Sequence, residues 1–338
     1  MSCVLDRHEI KLHVDRHLKK ARAAMQPRVR SAFDALVQER GLLSADPERY
    51  FGPLGHPVFE LPVWVARRLN NEGIETPNEA LSDLLGVSVL GYLHVRAQDD
   101  WLDGPSKEEP TLIALAEALI ALSIRLLASV VGTSTRFWRF YSQVFNAYAE
   151  SLLETAEVRR IEQPISRSVF ERLLKQSGPL IIPSAALLDR ADRWQLRQPL
   201  QEFVHNATAS SQLFNDLTDL YLDRDSGRRT WTTDAVGESA ADELWLEAAR
   251  AAKGTQGETI QERISTALTF HERSARAARA MELTAAEGWL KDRQAALESL
   301  PGTLERTMVA TFVRRMAESG QLDLSSRNRG QAKKGMTQ

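Results

Sequence analysis

Apolar residues recur three and four places apart along most of this 338-residue chain, and no long β-branched stretch alternates with period two. That spacing predicts helices at about 62–71, 77–103, 110–130, 134–158, 166–190, 198–224, 239–253, 257–284, 285–299 and 302–318. Ala, Leu, Arg and Glu dominate, with 18 Gly and 13 Pro, so local propensity agrees with the pattern and the fold class is all-α. Pro27, Pro47, Pro53, Pro57 and Pro62 mark residues 1–54 as short helices and turns, ahead of one helical domain over 55–318. Residues 319–338, with Arg327, Arg329, Lys333 and Lys334 among polar neighbours, read as a disordered tail.

Two segments interrupt the apolar spacing with acids: Asp99-Asp100-Trp101-Leu102-Asp103 and Asn215-Asp216-Leu217-Thr218-Asp219-Leu220-Tyr221-Leu222-Asp223. Residues three and four apart share a helix face, so Asp99 and Asp103 project together with Asp100 beside them. By the same spacing Asn215, Asp219 and Asp223 form a ladder of oxygens. A single acidic cluster is the ordinary mark of a solvated helix face. These two have apolar neighbours: Val87, Val89, Leu90, Leu93 and Val95 before the first, and Leu213, Phe214, Leu217, Leu220 and Leu222 through the second. Burying unpaired carboxylates is costly, and a hard divalent cation removes the penalty. Mg²⁺ uses one or two carboxylates, waters and substrate phosphate oxygens rather than a closed protein cage. Two separated clusters therefore predict metal ions shared with a diphosphate.

On these residues the chain resembles the class I isoprenoid synthase superfamily, the trans-prenyl diphosphate synthases and class I terpene synthases. The first motif of that superfamily is DDxxD, which Asp99, Asp100 and Asp103 match in full. The second is either DDxxD preceded by Gln, which Gln212, Asn215, Asp216 and Asp219 fit, or Asn, Ser/Thr and Glu at i, i+4 and i+8. Asn215, Asp219 and Asp223 fit the latter with Asp in the second and third places. Gly227-Arg228 resembles the Gly-Lys after the second motif of prenyl diphosphate synthases. Lys175 stands where that group carries a Lys-Thr pair, and Arg172 where terpene synthases carry an arginine. Leu297-Glu298-Ser299-Leu300-Pro301 followed by Arg306 is similar to the Leu-Pro turn and closing helix of the former.

The likeness spans roughly residues 55–316 and implies a single-domain antiparallel bundle with a central active-site cavity. It further implies three Mg²⁺ ions, with Mn²⁺ as an alternative, on Asp99, Asp103, Asn215, Asp219 and Asp223. Asp100 and Asp216 complete the catalytic set, Lys175, Arg172 and Arg228 hold the diphosphate, and the fold commonly forms homodimers.

The departures are informative. Prenyl diphosphate synthases carry an arginine pair after the first DDxxD and a Gly-Gly-Lys-Arg run near the N-terminus, both for isopentenyl diphosphate. Here Asp103 is followed by Gly104-Pro105-Ser106-Lys107-Glu108-Glu109-Pro110, and the N-terminal region offers His56-Pro57-Val58-Phe59-Glu60-Leu61-Pro62. A second diphosphate needs cations that are missing. The ionising half of the site remains, which implies a Mg²⁺-dependent class I terpene synthase acting on an allylic prenyl diphosphate, C20 before C15. A chain-elongating prenyl diphosphate synthase and a non-catalytic prenyltransferase partner subunit are the alternatives.

Further residues bear on a cavity. Phe137, Tyr141, Phe145 and Tyr148 form a helical stripe that is either core or the wall of a carbocation pocket. Upstream of Asp99, His94 and Val95 occupy the places that close the tunnel floor in prenyltransferases, and His94 is either a blocking residue, a base or a satisfied core histidine. Pro179 and Pro183 interrupt the helix that carries Lys175. Net charge is −2, which excludes a basic field for nucleic acid or anionic membranes. One cysteine, Cys3, excludes an internal disulfide framework and fits a reducing cytoplasm. Met1 to Lys20 has no apolar core of a secretory signal, and Leu112 to Gly132, broken by Glu117 and Arg125, reads as a core helix rather than a membrane span.

Overall fold

The structure is a computed structural model that describes residues 5–42, 57–103, 109–160, 164–225, 227–236 and 255–318. Among these residues every regular element is helical. In chain order they are α1 (Arg7–Ala24), α2 (Pro27–Glu39), α3 (Glu60–Asn71), α4 (Asn78–Asp103), α5 (Glu109–Val131), α6 (Thr135–Arg160), α7 (Arg167–Leu173), α8 (Ile182–Arg190), α9 (Arg197–Thr218), α10 (Leu220–Asp225), α11 (Trp231–Val236), α12 (Thr255–Ala280) and α13 (Glu287–Glu318). A 3₁₀ segment, Leu174–Ile181, joins α7 to α8.

The predicted helices are present, with four departures. The N-terminal region is less fragmented than its prolines suggest. Asp6 caps α1 through a reciprocal pair with Glu9, and the helix runs 18 residues, burying Ile10, Val14 and Leu18. The helix predicted over 166–190 is three elements, because Pro179 removes a backbone donor and the chain tightens into 3₁₀ geometry before Pro183 restarts a helix at its first turn. The helix predicted over 198–224 divides at Asp219. Pro301, expected to lie in a turn between two helices, sits inside the continuous α13. The predicted helix at 239–253 and the tail at 319–338 lie outside the described residues.

Two apolar cores organise these elements. The larger joins α1 to α6, α8 and the first half of α9, and includes a cluster of Trp64, Phe203 and Trp289 with ring centroids 6.1–6.4 Å apart. Each such side chain contributes about 1.5–3 kcal/mol by leaving water. Gly86 is needed where α1 crosses α4, since a Cβ there would meet His17 Nδ1 at 2.6 Å. The second core packs α7, the far half of α9, α11, α12 and the middle of α13 around Phe170, Phe214, Trp231, Phe270 and Leu297. One acidic segment lies at the end of α4 and the other at the end of α9.

Helix α5 lies along α4, with Leu115, Ala116, Leu119 and Leu127 buried. Its Pro110–Val131 stretch is long and apolar enough to cross a membrane by length and composition alone.

Candidate functional site

A cavity of about 140 Å³ opens between α4, α6, the 3₁₀ segment and α9. Arg96, Asp99 and Gln212 are in its polar lining, with Ser88, Ser123, Gln176 and Ser177, while Val87, Val95, Ile120, Tyr141, Phe145 and Leu180 are in its apolar walls. Asp99 of the first acidic motif therefore shares one space with Gln212, which stands one turn before the second; Asn215, Asp216, Asp219 and Asp223 are not in its lining.

On the α4 wall, successive residues point about 100° apart, which separates the adjacent aspartates. Asp99 lines the cavity and accepts a hydrogen bond from Arg96 Nη1 at 3.0 Å, one helical turn away. Asp100 instead accepts from Arg40 Nη2 at 2.5 Å, tying α4 to the C-terminal end of α2. Asp100 is thus engaged in a partly buried ion pair between helices. The side chain of Asp103 lies outside the described residues.

The α9 wall behaves differently. The ladder expected from Asn215, Asp219 and Asp223 is not uniform: Asn215 and Asp219 are exposed, whereas Asp223 is buried, and Asp216 lies deeper still at 3% exposure. Gln212 Nε2 donates to Asp216 Oδ1 at 2.7 Å. Burial pushes the Asp216 carboxyl up to about 7, assisted by the negative charges of Asp223 and Asp219 and opposed by the Gln212 hydrogen bond and by Arg228. Near neutral pH this carboxyl is in part protonated. The backbone remains helical across the break, since Asp219 and Asp223 donate N–H bonds to the carbonyls of Asn215 and Asp219 at 2.8 Å each. Gly227 then adopts φ +72°, a left-handed conformation suited to glycine, and Arg228 folds back to donate its N–H to the Asp223 carbonyl at 2.7 Å. Its guanidinium lies 3.8 Å from the Asp223 carboxylate.

Of the expected diphosphate cations, only Arg228 stays beside an acidic motif. Arg172 is directed away from the cavity and pairs through Nε with Glu154 on α6. Lys175 lines a separate cavity on the other side of the 3₁₀ segment. The chain turns about a third of a revolution per residue there, so Gln176, Ser177, Pro179 and Leu180 face the first cavity while Leu174, Lys175 and Gly178 face the second. Arg96 is a cation that the motif search passed over. Its signal was its place one turn before Asp99, on the same helix face.

The aromatic stripe of α6 splits in the same way. Tyr141 and Phe145 line the cavity and stack at 4.4 Å, with their rings inclined by 28°. Phe137, expected in the lining, is fully buried core and meets Trp138 edge-on. Val95 lines the cavity as expected. His94 does not: its Nδ1–H donates to the Ala116 carbonyl at 3.0 Å, and its ring packs behind Phe145 and Tyr148. Burial lowers its pKa, so it is a neutral core histidine. Tyr148 donates its hydroxyl to Gln98 Oε1, linking α6 to α4 beside Asp99.

The resulting arrangement has oxygen donors on two walls and apolar and aromatic faces between them. Among the described residues no three His, Cys, Asp or Glu side chains come together as a metal-holding group. That excludes a closed protein cage among them. Compared with known protein families, curated proteins and solved structures, the chain matches none of them.

Proposed function

We propose that the chain is a Mg²⁺-dependent class I terpene synthase, which ionises an allylic prenyl diphosphate and cyclises the resulting carbocation. The observation that carries this reading is one cavity bordered by Asp99 of the first acidic segment and by Gln212, one turn before the second, and walled by stacked Tyr141 and Phe145. The residues suited to hold Mg²⁺ are Asp99 on α4 and Asn215, Asp219 and Asp223 on α9 and α10, with Asp103 as the remaining member of the motif. When bound, Mg²⁺ supplies positive charge for the departing diphosphate. Arg96 in the cavity lining and Arg228 beside Asp223 add cationic hydrogen-bond donors for its oxygens. The faces of Tyr141 and Phe145 stabilise positive charge in the chain, and the apolar walls keep water from it.

The modest size of Val95, which lines the cavity, favours C20 before C15 as the chain length. A prenyl diphosphate synthase is the second reading. It is favoured by the Gln212–Asp216 pair and by the placement of Arg228 after Gly227, and disfavoured by the lack of cations for isopentenyl diphosphate.

The test is incubation with Mg²⁺ and geranyl, farnesyl or geranylgeranyl diphosphate singly, with the organic extract analysed by mass spectrometry and Asp99→Ala as control. A cyclic hydrocarbon or alcohol, absent in the control, supports the synthase. Elongated diphosphate formed only after isopentenyl diphosphate is added establishes the second reading.

A further inference from the structure

The face of the 3₁₀ segment opposite the acidic site borders a larger cavity, about 360 Å³, between α6, the 3₁₀ segment and α9. Phe140, Val144, Ile181 and Val204 give it an apolar wall and Gln143, Gln201 and His205 a polar one, and its volume lies within the range of small-molecule sites. Two cations border the same space, Lys175 and Arg197. The Arg197 guanidinium lies 5.4 Å from the Phe140 ring centroid and 5.3 Å from that of Trp194, which holds it over aromatic faces. Among the described residues its Nε has no hydrogen-bond partner, although it is buried, and neither Arg197 nor Lys175 has an ion-pair partner. An apolar wall beside a part-buried Arg197 and an exposed Lys175, neither ion-paired among the described residues, forms a site for a molecule with an apolar chain and an anionic head.

We propose that this second cavity binds a single-chain anionic amphiphile, its carboxylate or phosphate head on Lys175 and Arg197 and its chain against Phe140, Val144 and Val204. The basic residues of the C-terminal tail, Arg327, Arg329, Lys333 and Lys334, make that segment a poor occupant by charge. Ser177 borders both cavities, so an occupant touches the wall shared with the acidic site. The proposal does not depend on the catalytic reading, because binding is measured without Mg²⁺ or any prenyl diphosphate.

The experiment is titration calorimetry of the full chain with decanoate and decyl phosphate, using decanol and inorganic phosphate as probes of chain and head alone. The expected result is that both anionic amphiphiles bind at least tenfold more tightly than decanol, with no binding of inorganic phosphate, and the tighter of the two identifies the head group. Octanoate should bind about tenfold more weakly than decanoate. Lys175→Gln combined with Arg197→Gln should weaken both anions about tenfold and leave decanol unchanged, and Val204→Trp should abolish all three interactions. Tyr141→Trp, which fills the acidic cavity, should leave decanoate binding intact. Thermal melts of each variant exclude loss of fold. Decanoate binding that survives Val204→Trp, that is lost in Tyr141→Trp, or that is absent from the wild type overturns the proposal.

Discussion

The two acidic walls are built on opposite principles. On α4, Asp99 and Asp100 remain partly exposed and each is joined to an arginine, Arg96 at 3.0 Å and Arg40 at 2.5 Å. On α9 and α10, Asp216 and Asp223 are buried, and the Asp216 carboxyl is raised to about 7. The carboxylates of the first wall are paired with arginines, whereas the second holds a carboxyl whose charge burial opposes. Acid count alone therefore does not describe a site of this kind. Burial and pairing differ between its halves, and each half should respond differently to substitution.

The largest effect is expected at Asp99, the carboxylate that borders the cavity. Asp99→Asn should lower product formation about 10²–10³-fold, the scale of losing one preorganised group that stabilises transition-state charge. Steady-state rates with farnesyl diphosphate and a normal thermal melt check this.

Stability against pH sharpens the contrast. Because the folded Asp216 binds its proton more tightly than the unfolded chain does, its stabilisation is complete below about pH 4. It is lost as pH rises to about 7 and is constant above that. The full loss is at most about 4 kcal/mol. With chelator present, Asp216→Asn should remove this dependence and be more stable than wild type at pH 8, as read from urea midpoints.

The Asp100–Arg40 pair joins helices rather than facing the cavity. Arg40→Ala should cost about 1–3 kcal/mol by leaving Asp100 without its charged partner. The Michaelis constant for the diphosphate should change little. Tyr141→Leu should lower turnover about tenfold and redistribute products, consistent with losing a cation–π contact of about 1–2 kcal/mol. The smallest effect is expected at Lys175, which lies in the other cavity: Lys175→Gln should leave that Michaelis constant within about twofold, on the scale of an altered long-range charge.

Much of this was legible in the residues. Helical spacing located the helices around both motifs, and the placement of Asp99 follows from counting along α4. The second wall was only half legible. The ladder of Asn215, Asp219 and Asp223 has correct spacing, but Leu213, Leu217 and Leu220 fix which way α9 and α10 turn. Their buried arc draws in Asp216 and Asp223 and leaves Asn215 and Asp219 outside. Phasing the leucines against the acids would have revealed this. Arg40 could not be found that way, since it meets Asp100 across 60 positions of sequence. Lys175 lines the other cavity because the segment around Pro179 is 3₁₀, which changes the direction of each side chain. His94 and Phe137 were ambiguous because an apolar helix face has the same spacing whether it lines a cavity or fills a core.

The most direct test measures inorganic diphosphate released from farnesyl diphosphate with Mg²⁺ and no isopentenyl diphosphate. The account predicts steady Mg²⁺-dependent release that Asp99→Asn lowers about 10²–10³-fold and Lys175→Gln leaves intact. Absence of release from farnesyl, geranyl and geranylgeranyl diphosphate alike, in a folded protein, would contradict it.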